Sequence, residues 1–243
     1  MSTHPREPLG GKLALITGAS QGIGLAIARA LAAEGCNLVI SGRHQAALNR
    51  VAKQLAKTGI SVLPRACDVR DADAVKAMSA AVRGRFHRLD ILINNAGIAH
   101  ANLPVAKLPL REWKPVIETN LTGMFLVTRA ALPLMKPGGA IVNNLSISAK
   151  RVFPGMSAYS ASKHGTLGFT NTLREELRDR RIRVIALLSG ATDTAIWNTF
   201  WPQAPRRKMM SPATVAQAVV NALTLPEDTT VEEITILPSA GTL

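Results

Sequence analysis

The sequence predicts one α/β domain in which about seven parallel strands form a single doubly wound sheet, covered by helices on both faces. Short apolar runs rich in β-branched residues alternate with longer stretches of helical period from Lys12 onwards. Successive runs lie too far apart along the chain for hairpins, so the strands must pair in parallel through right-handed crossovers. The 243 residues, 47% of them hydrophobic, suffice for one such domain. We therefore expect a single domain over 12–243, preceded by an N-terminal extension over 1–11.

The first half of the chain contains four strand–helix units. Strands are predicted at 12–17, 37–41, 60–66 and 90–94, and helices at about 22–34, at 45–57, after residue 71 and at 112–134. The second helix shows the pattern clearly, because Leu48, Val51 and Leu55 are three or four residues apart and form one apolar stripe. Asp71 is the candidate N-cap of the third helix. This order is that of repeated β-α-β units.

The second half adds three strands and a long irregular connection. Strands are predicted at 140–146, 183–188 and near 233–237, and helices at about 157–180 and at 212–223. The connection over 189–211 contains Trp197, Phe200 and Trp201, an unusual apolar load for a loop. In a doubly wound sheet it overhangs the carboxyl ends of the strands, where ligands bind, so we predict a substrate lid. Its aromatic residues would line an apolar substrate pocket or, equally, pack the lid onto the domain or onto a neighbouring subunit.

The bulk properties limit location and partners. A formal net charge of +13 is compatible with a nucleic-acid or membrane partner, or with a basic surface that attracts anionic cofactors and substrates. The basic residues are dispersed rather than grouped with aromatic residues, so we expect no nucleic-acid partner and no membrane partner. Cys36 and Cys67 lack the spacing of a disulfide framework or a zinc site. Because the sequence has no apolar stretch typical of a signal peptide or a membrane span, a soluble cytoplasmic protein is expected.

A glycine-rich turn joins the first predicted strand to the first helix. It runs from Thr17 to Gly24 with the sequence TGASQGIG, and the helix follows directly. Glycines in this context let backbone N–H groups approach a pyrophosphate, which the positive end of the helix stabilises. The turn therefore predicts a dinucleotide site.

The spacing of Gly18, Gly22 and Gly24 matches TGxxxGxG and resembles the short-chain dehydrogenase/reductase family. The other motifs of that family follow in its order, namely Asp68 in CDV, NNAG at 94–97, Asn120, Ser146 and YSASK at 159–163. The resemblance covers nearly the whole chain and implies a Rossmann-like fold. It implies that the dinucleotide contacts Gly18, Ser20, Gln21, Gly22, Ile23, Gly24, Arg43, Asp68, Val69, Asn95, Ala96, Gly97, Tyr159, Lys163, Gly190, Thr192 and Thr194.

The end of the second strand bears on the choice of cofactor. NAD-dependent enzymes need a carboxylate there to accept hydrogen bonds from the adenosine 2′-hydroxyl, and this chain has Gly42 instead. Arg43 follows and is placed to pair with a 2′-phosphate, so NADP(H) is favoured over NAD(H). The alternative is that Arg43 is a solvated charge at the end of a strand. Gln21 lies where many NADP-preferring relatives carry a basic residue, and Asp68 resembles the residue that hydrogen-bonds the adenine amino group.

Tyr159 and Lys163 are four residues apart on a predicted helix, so their side chains share one face. A free tyrosine has a pKa of about 10, and a nearby ammonium favours the phenolate and lowers that pKa. We therefore predict that Tyr159, with its pKa lowered by Lys163, donates a proton to a carbonyl oxygen during reduction. The resemblance implies that Lys163 also binds the nicotinamide ribose. It further implies that Ser146 holds the same oxygen and that Asn120 anchors a water linked to Lys163.

Ser189 is the clearest departure from the family, which usually has proline before Gly190 in a PGxxxT loop. Gly190 and Thr194 are kept, so the loop is still expected to pass under the nicotinamide. Thr192 or Thr194 would contact the carboxamide or the pyrophosphate. Serine does not fix φ, which leaves the rigidity of this loop open.

These observations predict an NADPH-dependent oxidoreductase that reduces a carbonyl compound, a ketone or a 3-oxoacyl thioester, to an alcohol. An acidic acyl carrier protein is a candidate partner, because a basic surface steers such a protein electrostatically. The resemblance implies a homodimer or homotetramer formed through the helices that contain Asn120 and Tyr159. Two alternatives remain: an NAD-dependent alcohol dehydrogenase of the same family, and a non-catalytic nucleotide-sensing or nucleic-acid-binding protein on the same fold.

Overall fold

The computed structural model describes residues 9–242 and contains one sheet of seven parallel strands. The strands are β1 (Leu13–Ile16), β2 (Asn37–Gly42), β3 (Val62–Ala66), β4 (Leu89–Asn94), β5 (Met135–Asn144), β6 (Arg183–Ser189) and β7 (Glu233–Ile236). Their order across the sheet is β3-β2-β1-β4-β5-β6-β7, and every neighbouring pair is parallel. The predicted doubly wound fold is confirmed.

Helices cover both faces of the sheet. They are α1 (Gly22–Ala33), α2 (Gln45–Leu55), α3 (Ala72–Phe86), α4 (Leu110–Ile117), α5 (Gly123–Ala131), α6 (Ser157–Leu177), α7 (Trp197–Phe200) and α8 (Pro212–Leu223). Apolar side chains of α1, α2 and α8 pack on one face, and those of α3, α5 and α6 pack on the other. The central strands are therefore buried on both sides, which explains their near-continuous apolar runs. Within residues 9–242 no helix combines the length and apolar character needed to cross a bilayer.

The helix predicted at 112–134 is divided in the structure. It begins earlier, at Leu110; α4 ends at Ile117, a π-helical turn covers Glu118–Thr122, and α5 begins at Gly123. Single π turns inside α-helices are frequent at functional sites. Asn120 lies within this one.

The folded domain begins earlier in the chain than predicted. Residues 1–8 of the predicted extension, and residue 243, lie outside the described part of the chain. Leu9 is 2% exposed and packs in the core, and the Gly11 amide donates to the Gly35 carbonyl at 3.2 Å. The folded unit therefore includes residues before the predicted boundary at 12.

The reversal of strand order beside β1 positions the site. The chain winds from β1 to β2 and β3 in one direction, then returns to place β4, β5, β6 and β7 on the other side of β1. The loops that follow β1 and β4 diverge, which opens a crevice at the carboxyl ends of the strands. The glycine turn follows β1, the NNAG motif ends β4, and Ser146 lies two residues after β5. These three motifs thus lie at one edge of the sheet.

Candidate active site

The glycine turn between β1 and α1 has a shape that side chains would obstruct. Gly18 and Gly22 have φ of +65° and +57°, in the left-handed region that favours glycine. At Gly24 an added Cβ would collide with the side-chain amide of Asn95 and lie 2.5 Å from the Gly18 carbonyl oxygen. The side chain of Gln21, the N-cap residue of α1, makes no hydrogen bond to the first turn of the helix. The N–H groups of this turn are therefore available to an anion.

Asn95 fixes the glycine turn against the end of β4. Its side-chain Nδ2 donates to the carbonyl oxygens of Thr17 and Gly18 at 2.9 and 3.2 Å. In return the Thr17 hydroxyl accepts hydrogen bonds from the backbone N–H groups of Asn95 and Ala96, both at 3.0 Å. The turn therefore holds its shape through contacts within the protein.

One cavity of about 610 Å³ runs from the glycine turn across the carboxyl ends of the strands. It is lined by most of the residues that the sequence predicts for the site: Gly18, Ser20, Gln21, Gly22, Ile23, Arg43, Asp68, Val69, Asn95, Ala96, Gly97, Ser146, Tyr159, Lys163, Gly190, Thr192 and Thr194. Gly24 and Asn120 are the predicted residues outside this lining. Both instead pack behind it, Gly24 against Asn95 and Asn120 against the segment after NNAG. The predicted dinucleotide and catalytic residues therefore share one cavity.

The end of the cavity beside β2 and β3 is rich in charge. Gly42 ends β2 without a carboxylate, and Arg43 and Asp68 line the wall. Arg70, which the sequence interpretation missed, also lines it and forms a two-pronged ion pair with Asp68, with Nη2–Oδ2 of 2.6 Å and Nε–Oδ1 of 3.0 Å. Arg70, with a smaller contribution from Arg43, holds the pKa of the Asp68 carboxyl below its usual range. A basic residue two positions after Asp68 was the available signal.

The other end of the cavity holds the predicted catalytic residues. Tyr159 and Lys163 lie on α6 and face the same side, as their spacing predicts, with Lys163 Nζ 5.5 Å from the centre of the Tyr159 ring. Lys163 is 5% exposed and donates to the backbone carbonyl of Asn144 at 3.0 Å. Ser146 lies beside the phenol, and its hydroxyl oxygen accepts the N–H of Ser148 at 3.1 Å. A phenol, a hydroxyl and an ammonium thus converge at one point of the cavity wall.

Comparison with known proteins agrees with this arrangement. The family model described as short chain dehydrogenase matches residues 12–205. This chain belongs to the short-chain dehydrogenase family. A curated relative from Staphylococcus aureus, named an uncharacterized oxidoreductase, is 36% identical over 229 residues, which are 93% of this chain and 97% of the relative. The protein is therefore an oxidoreductase of this family.

Solved structures of family members superpose closely. An alcohol dehydrogenase from Thermococcus sibiricus, complexed with 5-hydroxy-NADP, has a TM-score of 0.87 and 32% identity, and covers 94% of this chain and 97% of its own. A 3-ketoacyl-(acyl-carrier-protein) reductase from Brucella melitensis, complexed with NADH, has a TM-score of 0.86 and 30% identity. The match covers 95% of this chain and 98% of that reductase. The family fold of this dehydrogenase is thus confirmed along almost the whole chain.

The cavity of this dehydrogenase fits a nicotinamide dinucleotide. Gly18 and Gly22 shape a turn in which a Cβ would press on Asn95 and on Thr194, and the first turn of α1 opens onto it. The cavity continues from there to Tyr159, so both ends of an extended ligand find polar walls. These features match what a pyrophosphate joined to two nucleosides requires.

The pKa shifts of the catalytic pair differ from the prediction. Burial raises the pKa of the Tyr159 phenol, and the neighbouring Ser146 hydroxyl acts in the opposite direction with a smaller effect. Burial also lowers the pKa of Lys163 to about 8. The prediction that the tyrosine pKa is lowered is therefore wrong for this structure, because loss of hydration on burial has the largest effect on the phenol. Tyr159 is held as a neutral proton donor.

Asn120 is a structural link behind the cavity wall. It is 1% exposed, and its Oδ1 accepts the N–H of Ile98 while its Nδ2 donates to the Ile98 carbonyl, both at 2.9 Å. Nδ2 also donates to the Ser162 hydroxyl at 3.0 Å, on the helix that carries Tyr159 and Lys163. The side chain thus ties the π-helical turn to the segment after NNAG and to α6. Its predicted role in anchoring a water stays a prediction.

Ser189 ends β6 in a regular parallel pair, so the loop after it is well fixed at its start. Ser189 is in register with Ile236 of β7, and the Gly190 amide donates to the Ile236 carbonyl at 2.8 Å. Thr192 is 4% exposed, and its hydroxyl donates to the Gly190 carbonyl at 3.0 Å. Strand pairing therefore supplies the rigidity that a proline would otherwise provide.

Asn144 is a second residue that the sequence interpretation missed. Its Nδ2 donates to Asn95 Oδ1 at 2.8 Å, and its carbonyl accepts the Lys163 ammonium. The residue thus connects the side chain that holds the glycine turn to the catalytic lysine. The signal was present in the sequence as two Asn-Asn doublets, 94–95 and 143–144, at the ends of strands that prove to be neighbours.

Proposed function

We propose that this enzyme is an NADPH-dependent reductase of ketones and related carbonyl compounds. The observation that carries the proposal is a single cavity with a neutral, partly buried phenol, Tyr159, at one end and Arg43 beside a strand end without a carboxylate at the other. A neutral phenol is a proton donor, which reduction of a carbonyl requires. Arg43, together with the absence of an acid at the end of β2, favours a 2′-phosphate.

The chain offers a residue for each part of the cofactor. The glycine turn and the first turn of α1 are suited to the pyrophosphate, Arg43 and Arg70 to the 2′-phosphate, and Lys163 to the nicotinamide ribose. When bound, NADPH supplies the hydride. The relatives complexed with 5-hydroxy-NADP and with NADH indicate that the fold accepts either dinucleotide. The preference for NADPH rests on the charges beside β2 and β3.

The chain's own residues handle the oxygen of the substrate. Tyr159 donates its proton to the carbonyl oxygen as negative charge develops there. The Ser146 oxygen already accepts the Ser148 N–H, so its own proton is available to the same carbonyl oxygen. The ammonium of Lys163 stabilises the phenolate that Tyr159 becomes after it gives up the proton. These three groups stabilise the transition state for reduction.

Replacement of the phenol tests the proton donor. Tyr159→Phe removes the hydroxyl and keeps the ring, so kcat/KM for carbonyl reduction should fall by about 100-fold or more. Consumption of NADPH over a panel of ketones measures this loss. NADPH affinity, measured by fluorescence titration, should stay within about threefold, because the variant keeps the glycine turn and both arginines. A variant that retains most of its turnover contradicts the assignment of Tyr159.

The charge of Arg43 tests the choice of cofactor. Arg43→Ala should raise KM for NADPH about tenfold or more and leave KM for NADH nearly unchanged, because a charged hydrogen bond to the 2′-phosphate is lost. Arg50→Ala, on the exposed side of α2, is the matched control. Equal effects of Arg43→Ala on both dinucleotides, or a wild-type preference for NADH, contradict the proposed cofactor.

A further inference from the structure

The lid over 189–211 carries a cluster of aromatic rings next to the catalytic tyrosine. The ring centroids of Trp197 and Phe200 are 4.5 Å apart, and Trp201 lies 6.2 Å from Trp197. The Phe200 ring is nearly parallel to the Tyr159 ring, with centroids 6.5 Å apart and planes inclined by 25°. All four side chains line the cavity that begins at the glycine turn. Aromatic rings therefore form the part of the cavity wall that lies beside the proton donor, Tyr159.

Hydrogen bonds hold this aromatic cluster in position. Trp197 is 9% exposed, and its indole Nε1 donates to the Thr192 carbonyl at 2.9 Å. Arg206 donates to the Thr194 carbonyl at 2.6 Å. It also donates to the side chains of Asp193 and Asn198, which lie before and after the first residue of α7. The rings are thus ordered by the protein, so a ligand does not have to bear the full cost of ordering them.

The wall around Tyr159 carries little charge. Among the described residues that line the cavity, the titratable side chains other than Tyr159 and Cys67 are Arg43, His44, Asp68, Arg70 and Lys163. The first four follow β2 and β3, and Lys163 is directed at the Asn144 carbonyl. Away from β2 and β3 the cavity lining combines uncharged polar side chains such as Asn102, Ser146 and Ser148 with a larger apolar set: Leu145, Ile147, Phe153, Met156, Ile196, Trp197, Phe200 and Trp201. A carboxylate or phosphate on a substrate would lose its hydration there without gaining a dedicated cation.

We propose that the substrate is an uncharged aryl ketone, whose ring packs against Phe200 and Trp197 while its carbonyl oxygen meets the hydroxyl of Tyr159. This inference rests on the proposed reductase function. Aromatic rings interact with one another more favourably than their buried area alone provides, which a saturated ring of similar size cannot match. Because Phe200 lies directly beside the phenol, a ring attached to the carbonyl carbon reaches it. A ring at the end of a long chain would pass beyond it.

A pair of matched ketones tests the aromatic wall. Acetophenone and cyclohexyl methyl ketone differ in the ring alone, and their kcat/KM values are measured with NADPH in the wild type and in Phe200→Leu. For each protein, kcat/KM for acetophenone is divided by kcat/KM for cyclohexyl methyl ketone, which gives its preference for the aromatic ketone. Comparing this preference between the variant and the wild type cancels the difference in intrinsic reactivity of the two ketones. We expect the preference for acetophenone to fall about tenfold in Phe200→Leu, because leucine keeps apolar bulk and loses the ring. Phe86→Leu, at the far end of α3, should leave the ratio unchanged.

A second measurement does not depend on turnover. Benzamide and cyclohexanecarboxamide are the corresponding pair that the enzyme cannot reduce, and calorimetry gives their affinities for the protein loaded with NADP⁺. Benzamide should bind about tenfold more tightly in the wild type and lose that advantage in Phe200→Leu. Trp201→Leu, at an exposed position, is a second variant and should reduce the advantage by less. Circular dichroism confirms that each variant is folded.

The outcomes separate the substrate class from the reaction. An acetophenone preference that Phe200→Leu leaves unchanged, together with equal binding of the two amides, overturns the aryl-ketone inference while the reductase function stands. Absence of NADPH consumption with every ketone overturns the reductase function. In that case the amide pair still measures whether the cluster selects aromatic rings.

Discussion

The Tyr159–Lys163 pair shows how far a single side chain can be understood from its neighbours in sequence. A spacing of four residues on a helix predicts a shared face, and the structure confirms it. The direction of the tyrosine pKa was predicted wrongly because it depends on burial in the folded protein, which no local pattern records. Arg70 was missed for the same reason, since its pairing with Asp68 depends on the fold of a loop. Residue types and spacings predict which side chains act together. The pKa of each side chain depends on how deeply the fold buries it.

The lowered pKa of Lys163 predicts a pH dependence of cofactor capture. A basic group with a pKa of about 8 is charged below that pH and loses its charge as the pH rises through it. The charged form is the stronger hydrogen-bond donor to the nicotinamide ribose, so kcat/KM for NADPH, which reports ionisations of the free enzyme, should fall as the pH rises above about 8. Tyr159 adds no loss in the neutral range, because its raised pKa keeps the phenol protonated there. A profile that stays flat to pH 10 contradicts this account of Lys163.

At the scale of elements, the accuracy of the predictions follows how local their signals are. The bounds of α8 are those predicted, because Ser211 caps its start and Pro212 occupies the first turn. The helix over 112–134 was predicted as continuous, and its division at the π-helical turn was missed. The side chain of Asn120 bonds to Ile98, 22 residues away, so the cause of the turn is not local. The lid was predicted from composition alone, and its aromatic cluster does line the cavity.

Arg206 provides a test of how the lid is held. Arg206→Ala removes hydrogen bonds to Asp193, Thr194 and Asn198, so amide hydrogen exchange over 192–201 should accelerate and KM for the carbonyl substrate should rise several-fold. Mass spectrometry of exchanged peptides and steady-state kinetics measure the two effects. The adjacent Arg207→Ala, at an exposed position, is the control. If both variants behave alike, the lid is not held by Arg206.

At the scale of the whole molecule, the sequence indicated the sheet and its crossovers but did not by itself give the order of the strands. That order depends on the β1–β4 pairing, in which residues about 77 positions apart come into register. The crevice beside β1, and with it the place of every motif, follows from this one long-range pairing. The resemblance of the motifs to a known family supplied what periodicity could not.

The face formed by α5 and α6 provides a prediction about assembly. Phe125 of α5 is 41% exposed and packs edge to face on Phe169 of α6, with ring centroids 6.4 Å apart. Exposed aromatic side chains of this kind are enriched at protein–protein interfaces. We therefore expect a dimer or tetramer through this face, and Phe125→Lys should yield a monomer, because an ammonium buried in such an interface beside the Arg129 guanidinium would lack a partner. Light scattering coupled to size exclusion measures the masses, and Phe86→Leu serves as a control. A wild-type protein that is already monomeric at micromolar concentration, or a variant that assembles as the wild type does, contradicts this interface.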